Sequence, residues 1–196
     1  MIIFYTEKDV QNYFKRPRNP LIDHTINPLV RQSFEKVLGK RPASYLLVDI
    51  ARQRLTVIDH EKTVLEYPVS TSKFGVGNAE GSFKTPLGMH RIAEKIGRGA
   101  PAGRIFRDRI DTGEDWPIGA PGENLILSRI LRLEGLEQGV NKGAGIDSFE
   151  RYIYIHGTGS EHAVGSPLSQ GCVCMKNGDV IDLFDIVEEG AYVLIY

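Results

Sequence analysis

The stretch RYIYIHGTGSEHAVGSPLSQGCVCMKN, Arg151 to Asn177, holds both cysteines of the chain and decides how the rest is read. Tyr152, Ile153, Tyr154 and Ile155 form an alternating apolar run that predicts a strand ending on His156. Gly157-Thr158-Gly159 follows, so the histidine is held by a rigid element and released into a glycine turn, where it faces a site. Further on stands Ser169-Gln170-Gly171-Cys172. Glycine before a nucleophile leaves its backbone N–H open to a developing oxyanion, and the nucleophile supplies its own N–H. A thiolate forms when its pKa is lowered, commonly by an imidazolium neighbour. A buried structural cysteine calls for apolar neighbours at strand spacing, which Ser169 and Gly171 are not. Cys172 is therefore the candidate nucleophile and His156 the candidate base.

The other histidines fit less well. His24, His60 and His90 stand alone and read as surface or packing residues, His60 as solvated in its DHEK turn. His162 is the one competitor, because it lies on the loop joining His156 to Cys172. A zinc site built from His156, His162, Cys172 and Cys174 is disfavoured, since zinc-binding pairs are spaced by two to four residues and here one intervenes. The glycine-rich segment GVGNAEGSFKT matches neither nucleotide motif. Glu80 takes the place of the third dinucleotide glycine, and Ser82 and Phe83 separate Gly81 from Lys84. It reads as a long turn.

Working outward, the 196 residues suffice for one domain with a full core. Hydrophobic content of 41%, charged content of 25% and a net charge of −1 are those of an ordinary globular chain with no basic footprint, which argues against nucleic acid. No apolar run approaches the roughly 20 residues that cross a bilayer. The start MIIFYTEKDVQNYF lacks the basic, apolar and small-residue sections of a signal peptide, so a cytoplasmic location is expected, or a periplasmic one if an export sequence has been removed. In the cytosol two cysteines do not suggest a disulfide.

Residues 1–41 read as a partly helical N-terminal extension wrapped on the main domain. LVRQSFEKVL sets Leu29, Val30, Phe34, Val37 and Leu38 on one helical face, Gly39 ends it, and Pro17, Pro20 and Pro28 break the segment before. YLLVDI, RLTVID and TVLEYPV predict an antiparallel meander. Residues 97–122 read as loop. NLILSRILRL fits a strand, with a helix as the other option, and AYVLIY a last strand. Between them Val180, Leu183, Phe184 and Val187 recur at helical spacing behind the caps Asn177 and Asp179, and Gly190 is the stop. The sum is a mainly β single domain over residues 42–196.

At these residues the sequence resembles the L,D-transpeptidase catalytic domain, the YkuD type. His156, Gly157, Ser169, Gly171, Cys172 and Asn177 match its active-site motif, and Thr85-Pro86-Leu87-Gly88 matches its upstream Thr-Pro-x-Gly signature. The arginine that the motif has two residues after the cysteine is Cys174 here, and Arg151, Lys176 or a loop arginine is the expected replacement cation for the substrate. The resemblance implies a β-sandwich of mixed sheets with short helices and no metal or organic cofactor. It implies attack of Cys172 on the diaminopimelate–D-alanine bond of murein tetrapeptide stems or soluble muropeptides. In that scheme the Gly157 carbonyl orients His156, the N–H groups of Gly171 and Cys172 form the oxyanion hole, and Ser169 steadies the loop. With a cytosolic location the expected acceptor is water and the expected role tetrapeptide trimming in peptidoglycan recycling. The alternatives are a periplasmic cross-linking enzyme and a catalytically impaired muropeptide-binding domain.

Overall fold

The computed structural model describes residues 28–117, 120 and 125–196. Helix α1 (Pro28–Leu38) precedes three strands, β1 (Ser44–Asp49), β2 (Arg54–Asp59) and β3 (Lys62–Pro68), which pair antiparallel as the meander expected from their spacing. After the glycine-rich turn come β4 (Gly88–Ile96), β5 (Arg104–Arg107), β6 (Ile110–Asp115) and the long β7 (Ile126–Gly135). Strands β8 (Tyr154–Gly157) and β9 (Val173–Met175), helix α2 (Asn177–Ile186) and β10 (Tyr192–Ile195) complete the domain. Of the N-terminal extension, residues 1–27 lie outside the described part, and with them His24.

All ten strands join one hydrogen-bonded network in the order β3-β2-β1-β10-β4-β7-β5-β6, with β8 branching from β7 and β9 from β8. Most pairs are antiparallel; β1–β10 and β8–β9 are parallel. β7 is the branch point because β4 and β8 both pair with Ile130, Leu131 and Arg132, from opposite edges, while β5 pairs with Ile126 and Leu127. That demand on both edges explains why NLILSRILRL is a strand despite a pattern open to a helix. It also explains why the strand is buried almost from end to end.

The central strands bury both faces, and alternation assigns each residue to one of two cores. Leu46 and Val48 of β1 and Val193 and Ile195 of β10 join Val180, Leu183 and Phe184 of α2. Tyr45 and Leu47 of β1 and Leu194 of β10 face the other way, onto Val30 and Phe34 of α1. The expected face of α1 is thus a docking face. Phe34 is fully buried, its ring 4.4 Å from that of Tyr45. We expect Phe34→Ala to cost about 3–5 kcal/mol, the usual loss when a buried aromatic leaves a cavity. A urea unfolding midpoint unchanged from wild type would show that α1 does not stabilise the sheet.

Two parts of the reading are corrected. Residues 97–122, expected to be loop, contain the β5–β6 hairpin. Its turn residues Asp108 and Arg109 both adopt left-handed φ (50° and 70°) without the Asn-Gly signal that marks such turns. The cap of α2 is Lys176 rather than Asn177 or Asp179, and it offers no side-chain cap. The distant Glu161 carboxylate accepts the Asn177 N–H instead (2.6 Å).

Candidate active site

β8 is buried along its whole length and delivers His156 to the edge of β9, with which it pairs in parallel register, His156 against Cys174. Paired residues, and those two apart on one strand, share a face, so Cys172, Cys174, Tyr154 and His156 lie together. The imidazole Nδ1 is 2.8 Å from the carbonyl oxygen of Gly157. A carbonyl only accepts, so Nδ1 carries the hydrogen and Nε2 is the accepting nitrogen.

The thiols are not equivalent. Cys174 is fully buried, and its Sγ lies 3.7 Å from His156 Nε2. Cys172 is partly exposed, with its Sγ 3.6 Å from the Tyr152 carbonyl oxygen. It packs against Phe106, Ile130 and Tyr154. The residue in the arginine's place is thus the imidazole's neighbour, a contact set by the parallel register of two strands.

Electrostatics give a neutral site. Burial pushes His156 down to about 4, with only the Gly157 hydrogen bond opposing. Burial pushes the Cys172 thiol up to about 11, against the pull of the Tyr154 backbone and the Arg151 charge. Cys174 is pushed higher still by burial and by Cys172. The expected imidazolium–thiolate pair is therefore replaced at rest by a neutral base beside a neutral thiol.

The loop before Cys172 is tied from several sides. Ser169, fully buried, donates its hydroxyl to the Cys172 carbonyl (2.6 Å) and accepts the Gly171 N–H (3.2 Å). Of the two amides expected to form an oxyanion hole, it is thus the Cys172 N–H that no side chain occupies. Gly171 has φ of 123°, which other residues rarely adopt, and its carbonyl accepts the hydroxyl of Thr85 (3.0 Å). This gives the Thr-Pro-x-Gly segment a physical purpose: Thr85 ties the glycine-rich turn to the thiol loop.

Gly157 is glycine for a different reason. A Cβ there would sit 2.5 Å from Asn177 Oδ1 and 2.7 Å from the Leu127 carbonyl oxygen. Asn177 is a buried hub whose amide donates to Thr158 O (3.0 Å) and Glu161 Oε1 (2.7 Å), while its oxygen accepts the Ser128 hydroxyl (2.5 Å). Gly157→Ala is expected to cost about 1–3 kcal/mol as an overpacking substitution and to displace His156. Unfolding and turnover measured together check this; wild-type values for both would refute it.

Arg151 and Lys176, expected as substrate cations, are placed differently. The Arg151 guanidinium donates to the carbonyls of Gly77 (3.3 Å), Asn78 (2.9 Å) and Lys84 (2.7 Å) and so clamps the glycine-rich turn, reaching Cys172 through its field alone. Lys176 is exposed at the start of α2. His162 and His60 are exposed. His90 is fully buried with both ring nitrogens occupied, by Gly88 O and Ser148 Oγ, each at 2.9 Å.

Residues that the sequence did not point to are Tyr152, Tyr154 and Arg109. Tyr152 takes a left-handed φ of 55°, which turns its carbonyl onto Cys172 and leaves its ring half exposed. The guanidinium groups of Arg109 (4.8 Å) and Arg132 (5.3 Å) lie close to that ring, and Arg109 also donates to the Tyr154 hydroxyl (3.1 Å). The alternating run marked both tyrosines as strand residues; nothing local marked the backbone turn.

Residues 43–195 match the family model described as the L,D-transpeptidase catalytic domain, YkuD. The chain is 28% identical over 162 residues to a Salmonella typhimurium protein named "Probable L,D-transpeptidase ErfK/SrfK", covering 79% of this chain and 47% of that one. It is 29% identical over 164 residues to a Bacillus subtilis protein named "Putative L,D-transpeptidase YqjB", covering 81% of this chain and 76% of that one. The chain thus spans about half the length of the first relative and about three-quarters of the second. In fold it is similar to an L,D-transpeptidase from Mycobacterium smegmatis, with a TM-score of 0.50, 17% identity, and coverage of 79% of this chain and 58% of that one. A match running through the β1 meander, the Thr85 turn, the His156 strand, the Cys172 loop and β10 shows that this chain belongs to the L,D-transpeptidase catalytic domain family.

Proposed function

We propose that the protein is a cysteine-dependent acyl-transfer enzyme on the peptide stems of peptidoglycan, with Cys172 as nucleophile and His156 as base. The observation that carries this reading is a partly exposed thiol on a tethered glycine loop, on the same face of the β8–β9 pair as a neutral histidine. Nδ1 of that histidine is fixed by Gly157 O, which leaves Nε2 as the accepting nitrogen. Cys174 is nearer to hand for the imidazole but fully buried, where no peptide carbonyl can reach it.

With both groups neutral at rest, the proton moves as attack occurs. The Cys172 sulfur bonds to the diaminopimelate carbonyl carbon while its proton passes to His156 Nε2. The oxygen that becomes anionic meets the Cys172 N–H. The carbon–nitrogen bond then breaks, and the departing D-alanine amine takes the proton from the imidazolium. The acyl-enzyme is resolved by an amine, giving a cross-link or exchanged residue, or by water, giving a tripeptide. Both routes regenerate the thiol, and His156 removes a proton from either acceptor.

Incubation with a disaccharide-tetrapeptide, followed by intact mass and product mass, tests the reading. Expected are a thioester adduct on Cys172 and release of D-alanine, with a tripeptide marking water and a dimer marking an amine as acceptor. Tight binding with no adduct and no D-alanine would instead favour a muropeptide-binding domain.

A further inference from the structure

A cleft of about 430 Å³ is lined by Arg98, Ala100, Arg104, Phe106, Arg109 and Asp111 among others. Its walls are shared with the surroundings of Cys172. Phe106, Ile96 and Ala100 line the cleft and also belong to the cluster against which Cys172 packs.

The charge of this cleft is unbalanced. Arg104 is committed to Asp111 (2.8 Å) and Asp115 (2.6 Å) across the β5–β6 hairpin. Arg98 and Arg109 have no ion-pair partner among the described residues. Beneath the cleft, Arg129 is buried, donates to the Ala100 carbonyl (2.7 Å) and leaves its Nε without a hydrogen-bond partner. Lys95, Arg129 and Arg98 gather around the Phe184 ring at 4.4, 5.4 and 5.6 Å. The nearby acids Asp185, Glu188 and Glu189 face Lys95 from the α2 end. Burial pushes Lys95 and Arg129 down from their usual values, and the charge of Arg98 pushes in the same direction. An anion entering the cleft would relieve this repulsion.

Arg109 joins the cleft to the reacting atoms. It stacks on Tyr152, whose carbonyl accepts the Cys172 thiol, and it donates to the hydroxyl of Tyr154, the neighbour of Cys172 across the β8–β9 pair. It stands in the left-handed turn of the β5–β6 hairpin.

We propose that this cleft is a carboxylate-binding subsite, in which the guanidinium groups of Arg98 and Arg109 take a free carboxylate of the peptide whose carbonyl is presented to Cys172. The assignment rests on the acyl-transfer reading above and adds to it a requirement for charge on the donor. A planar guanidinium matches a carboxylate in geometry, and a neutral amide in its place loses the charge-assisted hydrogen bonds.

The test uses the full chain with Cys172→Ala, so that binding is read without turnover. The probes are a disaccharide-tetrapeptide with free stem carboxylates and the same compound with them amidated. Calorimetry is expected to show the free acid bound about tenfold to a hundredfold more tightly. Adding Arg98→Ala or Arg109→Ala should remove that difference while the amidated probe keeps its affinity within about twofold. A difference that survives both substitutions overturns the subsite. Because Arg109 also supports Tyr152, alkylation of Cys172 by iodoacetamide is measured in Arg109→Ala with Cys172 present. An unchanged rate is expected, whereas slowed alkylation with equal loss of both probes would make Arg109 a prop for the thiol and overturn the assignment. If charge-dependent binding holds but the unmodified protein forms no acyl-enzyme, the subsite stands and the acyl-transfer reading falls.

Discussion

Cys172→Ala should lower D-alanine release by more than about a thousandfold and abolish any covalent adduct, since no other exposed thiol exists among the described residues to replace it. Cys174→Ala should behave in the opposite way. It removes a small buried side chain at modest cost in stability and frees His156 Nε2 from its 3.7 Å contact, so turnover should stay within about tenfold of wild type. Intact mass after exposure to a carbapenem separates the two, with the adduct expected on Cys172 alone. Equal loss in both variants, or an adduct mapped to Cys174, would transfer the nucleophile's role to the buried thiol. Cys174→Arg, which restores the family residue, has to fit a long cation into a fully buried position and is expected to destabilise the β8–β9 pair.

Acid should unfold this domain earlier than its carboxylates alone would dictate. His90 and His156 are both fully enclosed, and burial lowers each from 6.5 to about 4. For His90 the Arg151 charge pushes the same way, and the Gly88 hydrogen bond opposes it. The unfolded chain binds these protons more readily than the folded one. Stability from each neutral histidine is therefore complete above pH 6.5 and is lost as pH falls from there towards 4. Between pH 7 and pH 5 the loss should be about 2 kcal/mol per histidine. Urea midpoints at the two pH values measure it, and His90→Gln should remove about half of the change. A midpoint independent of pH in this range would mean that the two rings are wetter than the fold implies.

The same two histidines show what the sequence could and could not convey. His156 was legible because an alternating run ends on it and a glycine turn follows, both local signals. That His90 is locked by Gly88 and Ser148 was not, because Ser148 comes from a distant loop. Cys172 was marked by Ser169 and Gly171, and the structure gives these neighbours the tethering that the pattern implied. The contact of Cys174 with His156 depends on the register of a parallel pair, which no local pattern encodes. β4 was hidden because His90, Arg91, Glu94 and Lys95 break its alternation; it is held as a strand by β10 on one edge and β7 on the other. The hairpin carrying Arg109 was lost among glycines, and with it the cationic cleft.

The position of β10 has a consequence for how the chain reaches this state during synthesis. β10 lies between β1 and β4, so it is the seam joining the meander to the rest of the sheet, yet among the described strands it is made after all the others. Until then the open edge of β1, with Leu46 and Val48, and that of β4, with Ile92, have no partner, and the nascent chain carries two unpaired sticky edges. The sheet therefore cannot close until β10 has been made, because a loop spanning nearly the whole domain has to close before the seam can form. A chaperone that shields extended apolar segments should raise the yield of this protein more than that of one whose final strand sits at an edge. Loss of β10 would leave two separate half-sheets rather than a slightly smaller domain.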